Sequence, residues 1–227
     1  MLPIRDRLPR RRFPIVNVLL ITLNVLVFLG ERSLLLQGMR SDQLLRDFGL
    51  VPAFLTSDPL TYGWTVLSSM FMHDPAGWGH LGGNMLFLWI FGDNVEDALG
   101  HGRYLGFYLL SGIAAAIVQT IASAATNDVL VPMVGASGAI AGVLAAYLVL
   151  FPGARILTLL PIFIFMYLPA RLFILGWFGL QVVYVFVGGA PATGVALFAH
   201  IGGFLAGLVL ARVMGRRTTW RSRRVSF

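Results

Sequence analysis

The sequence predicts an all-α, polytopic membrane protein: a bundle of six transmembrane helices with both termini cytoplasmic. Three observations carry this. Hydrophobic residues make up 57% of the 227-residue chain and charged residues only 12%. The mean hydropathy is +0.80, far from the balance of a soluble domain. The apolar residues fall into runs that fit about six crossings of roughly 20 residues each. The basic residues are all Arg and collect at the ends. Arg5, Arg7, Arg10, Arg11 and Arg12 precede the first apolar run, and Arg212, Arg216, Arg217, Arg221, Arg223 and Arg224 close the last. Each cluster abuts a hydrophobic segment. It therefore reads as a cytoplasmic anchor under the positive-inside rule, not as a nucleic-acid patch. The expected surroundings are the lipid bilayer, with no nucleic acid. The absence of Cys excludes disulfide and thiolate chemistry.

Each element has its own signal. Residues 1–12 form a basic tail, and 13–30 form a first span with no charge inside it. No small-residue cleavage site follows cleanly, so this is a retained span and not a signal peptide. Residues 31–78 mix Leu34, Leu35, Leu36 and Phe54 with Asp42, Asp47, Asp58, Pro52 and Pro59. They predict a partly helical loop at the outer interface. Span two, 79–99, and span three, 104–123, flank the tight turn Gly100-His101-Gly102-Arg103. His73 reads as a loop or interface residue capping the entry to span two, and His101 as solvated. Asp93 and Glu96 read as braces of the inner turn. A short outer loop leads to span four, 135–150, which Pro152 and Gly153 stop. Residues 156–168 are apolar but short and contain Pro161, so they are interfacial or hairpin-like. Span five, 169–187, ends at Gly188, Gly189 and Pro191, and span six covers 193–213. One membrane domain, 13–214, thus lies between the tail 1–12 and a second basic tail, 215–227.

The chemistry centres on Gly135-Ala136-Ser137-Gly138-Ala139-Ile140-Ala141-Gly142. It presents one hydroxyl at a helix start, where unpaired backbone N–H groups point outward. His200 lies about seven residues into span six, about 10 Å deep. His80 and Asn84 are four apart and share a face at the start of span two. An ionisable residue in a span is costly and faces the bundle interior. Gly138 and Gly142 match Gly203 and Gly207 in spacing, and such small-residue pairs let membrane helices approach closely. The surface that brings spans four and six together therefore carries Ser137 and His200. Taken singly, a Ser in a Gly-rich span is a packing residue, and a lone His is a satisfied polar group or a proton relay.

Together these stretches resemble the rhomboid family of intramembrane serine proteases, over about residues 64–210. The marks are Gly135-Ala136-Ser137-Gly138, Ala199-His200-Ile201-Gly202-Gly203 with Gly207, and His80-Leu81-Gly82-Gly83-Asn84. Ser69-Met70-Phe71-Met72-His73 and Gly92-Asp93-Asn94-Val95-Glu96 add to them. The resemblance implies a six-span bundle of the rhomboid type that cleaves transmembrane protein substrates in or near their spans. It implies Ser137 as nucleophile and His200 as general base and then acid. Asn84 and His80, with the Ser137 N–H, would stabilise the oxyanion. No Asp or Glu lies at that depth, so the expectation is a dyad, with no cofactor and no metal. The Arg-rich ends and the lack of Cys suit a bacterial inner membrane. Two positions depart from the family pattern: Thr65 follows Trp64 where Arg is common, and Ala141 stands where a Tyr often packs on the catalytic His. One rival is an inactive relative that binds membrane clients. Another is a small transporter relaying protons through His80 and His200, but the inner halves of spans four and six are nearly all Ala, Leu, Val and Gly. Oligomeric state is not legible.

Overall fold

The computed structural model describes residues 1–75, 77–160, 164–187 and 196–215. The turn at Gly188, Gly189 and Pro191, Pro161, and the Arg-rich stretch from Arg216 onward lie outside the described residues. Three helices are long and apolar enough to cross a membrane: α1 (Ile15–Leu36), α8 (His101–Thr126) and α11 (Leu197–Met214). Two further apolar helices, α9 (Ser137–Leu150) and α10 (Ala170–Val187), pack with them.

Helix α1 runs past its expected end at residue 30 and carries Glu31 and Arg32 within it. The charges do not stop it because both find partners. The Glu31 carboxylate accepts from the backbone N–H of His73 at 3.3 Å. Arg32 donates to the Pro75 carbonyl at 2.9 Å and lies over the Trp78 ring. The following loop is a string of short helices, α2 (Ser41–Phe48), α3 (Pro52–Ser57), α4 (Pro59–Tyr62) and α5 (Thr65–Ser68). Pro opens α3 and α4, where a missing N–H costs nothing. The Asp58 side chain caps α4 by accepting from the Thr61 N–H.

The next segment is helical from Trp78 to Leu99 but changes pitch. Helix α6 (Trp78–Phe87) passes through a π-helical turn, Leu88–Gly92, into α7 (Asp93–Leu99). The turn is held from α1: Asn17 donates to the Leu88 carbonyl at 2.9 Å and accepts from the Tyr104 hydroxyl at 2.7 Å. A side chain at Gly92 would occupy the space these groups fill. Glu96 reaches across to the start of α1 and accepts from the N–H groups of Val16 and Asn17, two donors that a helix start leaves open. It also pairs with His101, so His101 is half-exposed and bonded, not free in solvent.

At the end of the bundle that carries the N-terminus, a three-stranded antiparallel sheet forms in the order β1–β2–β3. It joins β1 (Leu2–Asp6), β2 (Arg155–Leu159) and β3 (Phe165–Pro169). The short apolar stretch after span four is therefore a β-hairpin. The N-terminal tail is not a plain basic anchor, because its first residues complete the sheet. Asp6 accepts from the Tyr147 hydroxyl at 2.6 Å and from the Asn94 amide at 2.8 Å. Burial pushes the Asp6 carboxyl above the usual carboxylate range, against the bond from Tyr147.

Helix α9 is the centre of the molecule, with every residue from Gly138 to Tyr147 buried. It packs against α8 and α11. A methyl group at Gly203 would collide with the Gly138 carbonyl, and one at Gly207 with the Gly142 backbone. At 14 residues, α9 spans about 21 Å, short of the roughly 30 Å apolar core of a bilayer.

Candidate active site

The sequence before Ser137 builds a fixed approach to it. Gly135 has φ +123°, a conformation that favours glycine, and its N–H donates to the Ser69 carbonyl at 2.8 Å. A side chain there would meet the ring of His80. The outer loop clamps this approach. Leu50 and Met133 exchange backbone hydrogen bonds of 3.0 and 2.8 Å, and the Ala53 N–H donates to Val129. Ser137 is the first residue of α9, so its backbone N–H has no partner within the helix.

Across the Gly–Gly contact, His200 lies in the first turn of α11, nearer the helix start than the expected seven residues. Its Nε2 is 2.7 Å from the Ser137 Oγ. Gln119 of α8 accepts from the Ala199 N–H at 3.1 Å, which fixes the start of α11 and so the place of His200. His200 is 5% exposed.

Two groups on α10 hold the His200 ring where Ala141 cannot. The indole of Trp177 lies against it, with centroids 5.6 Å apart at an angle of 35°. The Gln181 Oε1 is 3.2 Å from Nδ1. Neither residue was expected. The available signal was that Gln181 is a lone amide in an apolar helix, a position that normally turns inward.

His80 stands exposed at the edge of the site, with its ring against Gly135. Asn84 is buried one turn deeper. It donates from Nδ2 to the Nε2 of His73 at 3.0 Å. His73 is fully buried; its Nδ1 is 3.3 Å from the Phe71 carbonyl, and its ring sits edge-on to His80 at 5.1 Å. It is therefore the support of Asn84 and not a loop residue at the surface. Burial, with the neighbouring His80 adding to it, pushes the His73 imidazole down to about 4. A cavity of about 10 Å³ touches Ser137, Gly138 and Ala199, room for about one water molecule.

Ser137, His200, His80 and Asn84 thus come from three segments to one end of the bundle. The arrangement provides a hydroxyl, a base in contact with it, and a free backbone N–H. A model of the Rhomboid domain matches residues 61–217. The chain is 30% identical over 156 residues to the Rhomboid protease GluP of Bacillus subtilis, covering 67% of this chain and 26% of that protein. It is 36% identical over 104 residues to Rhomboid protein 1, mitochondrial, of Saccharomyces cerevisiae, covering 45% and 30%. Over 87 residues it is 36% identical to the Presenilin-associated rhomboid-like protein, mitochondrial, of Homo sapiens, covering 38% and 23%. The chain spans less than a third of the length of each of these relatives. With both site motifs inside the matched region, the chain belongs to the rhomboid family and is an integral membrane protein.

Proposed function

We propose that this chain is an intramembrane serine endopeptidase that hydrolyses peptide bonds in or near the spans of membrane-protein substrates. The observation that carries the reading is the 2.7 Å contact between the Ser137 Oγ and the His200 Nε2. His200 takes the hydroxyl proton as Oγ attacks the substrate carbonyl. The negative charge that develops on the carbonyl oxygen is met by the Ser137 N–H, with Asn84 and His80 beside it. The tetrahedral intermediate collapses, and the proton on Nε2 passes to the leaving amine. Water activated by His200 then releases the acyl group from Ser137. This reading places the Arg-rich ends in the cytoplasm of a bacterial cell, with the site opening to the outer side.

The test is cleavage of a transmembrane substrate in proteoliposomes, with labelling by a fluorophosphonate. Ser137→Ala and His200→Ala should each lose cleavage, and Ser137→Ala should lose labelling. Cleavage by Ser137→Ala at the wild-type rate would falsify the reading. Wild-type protein that neither labels nor cleaves would be an inactive relative. Asn84→Ala should keep labelling while turnover falls about 10²-fold.

A further inference from the structure

We infer that Gln181 is a positioning residue for His200: from α10 it selects the imidazole tautomer that can act as a base. This rests on the hydrolase reading of the site. A neutral imidazole carries one N–H, and the partner of one nitrogen decides which nitrogen keeps a lone pair. The Gln181 Oε1 is an acceptor 3.2 Å from Nδ1. The proton therefore belongs on Nδ1, and Nε2 faces the Ser137 hydroxyl at 2.7 Å with its lone pair free. With the proton on Nε2, the ring could not accept from Ser137, and the Gln181 carbonyl oxygen would face a bare nitrogen.

The surroundings leave Gln181 this task. Ala141 offers nothing on α9 to steady the ring. Trp177, four residues before Gln181 on the same face of α10, lies flat enough against the imidazole to fix its plane but does not reach a ring nitrogen. Trp177 limits the tilt, and Gln181 sets the rotation about the ring and the proton position. When Nε2 takes the Ser137 proton, Nδ1–H carries part of the new positive charge, and the amide oxygen stabilises it. The amide does at Nδ1 what a carboxylate does in a serine triad, without a charge in an apolar span. Base competence then depends on where α10 stands, since the serine, the base and the orienting amide lie on three different helices.

The experiment compares Gln181→Leu, Gln181→Glu and wild type, purified in the same detergent. Steady-state cleavage is measured, and ¹⁵N-histidine spectra report the His200 tautomer. Gln181→Leu should lower kcat about tenfold with KM unchanged, the size expected for losing one hydrogen bond to a transition state. Its spectrum should show His200 as a mixture of tautomers. Gln181→Glu, which keeps an acceptor oxygen, should recover most of the kcat and the single Nδ1–H tautomer. A residue that only packs would give the opposite order, because an added carboxyl would harm an apolar contact more than Leu. The inference is overturned if Gln181→Leu keeps wild-type kcat, or keeps a single Nδ1–H tautomer. It is also overturned if Gln181→Glu is slower than Gln181→Leu. Each result differs from failure of the hydrolase reading, which would appear as Ser137→Ala or His200→Ala retaining cleavage.

Discussion

A buried imidazole beneath Asn84 gives the site a pH dependence of its own. His73 is held neutral, with Nδ1–H toward the Phe71 carbonyl and Nε2 accepting from Asn84. Its value of about 4 lies below the ordinary 6.5. The unfolded chain therefore takes up this proton first as pH falls. The stabilising effect is complete above pH 6.5 and drains away down to about pH 4, on the order of 3 kcal/mol at the acid end. Below that range His73 would donate from both nitrogens and could no longer receive Asn84. The melting temperature in detergent should fall across this window, and the slope should flatten in His73→Asn. An identical slope in the variant would assign the acid sensitivity elsewhere. Nothing in the local sequence marks His73 as buried, because the partners that hold it inside, Glu31 and Asn84, are distant in the chain.

At the scale of elements, the contact between α9 and α11 decides whether Ser137 and His200 meet. Gly207→Val should drive a branched side chain into the Gly142 backbone, cost about 1–3 kcal/mol, and slow fluorophosphonate labelling. Gly106→Ala, where an added methyl meets nothing within 4 Å, should leave both melting and labelling unchanged. Equal effects of the two changes would mean that the close approach is not what holds the dyad. This contact was legible because glycines at four-residue spacing on two apolar segments are a local pattern. The supports of the site were not. Trp177 and Gln181 belong to a helix in which the lone amide marks an inward face, but nothing in its apolar run says that this face meets His200. The π-helical turn at Leu88–Gly92 depends on Asn17, some seventy residues away in the chain. The hairpin was expected, but its third strand was missed for the same reason: five residues of a basic tail carry no strand signal without the hairpin that pairs them.

For the whole molecule, the proposed orientation sets which side of the membrane the site faces. Six crossings with the Arg-rich ends inside remain a proposal, and the chain suits a direct test because it contains no Cys. Thr61→Cys in the outer loop should react with a membrane-impermeant maleimide in intact cells. Arg12→Cys should react only after permeabilisation. The reverse pattern would invert the orientation. Within the bundle, Glu96 and Asn17 tie α1 to the Leu88–Leu99 segment, and Asp6 ties the sheet to α9 through Tyr147 and to α7 through Asn94. The Ser137 end is tied instead by the Leu50–Met133 bridge.

The sheet also sets an order of events during synthesis. β1 emerges first, yet its partner β2 begins at Arg155. At about 5–20 residues per second, the leading strand waits roughly 8–30 s for it. Throughout that interval β1 has no strand to pair with. Pairing comes only after α9 has been made, so the strand acts as a late fastener, closing the bundle once the Ser137 helix is in place.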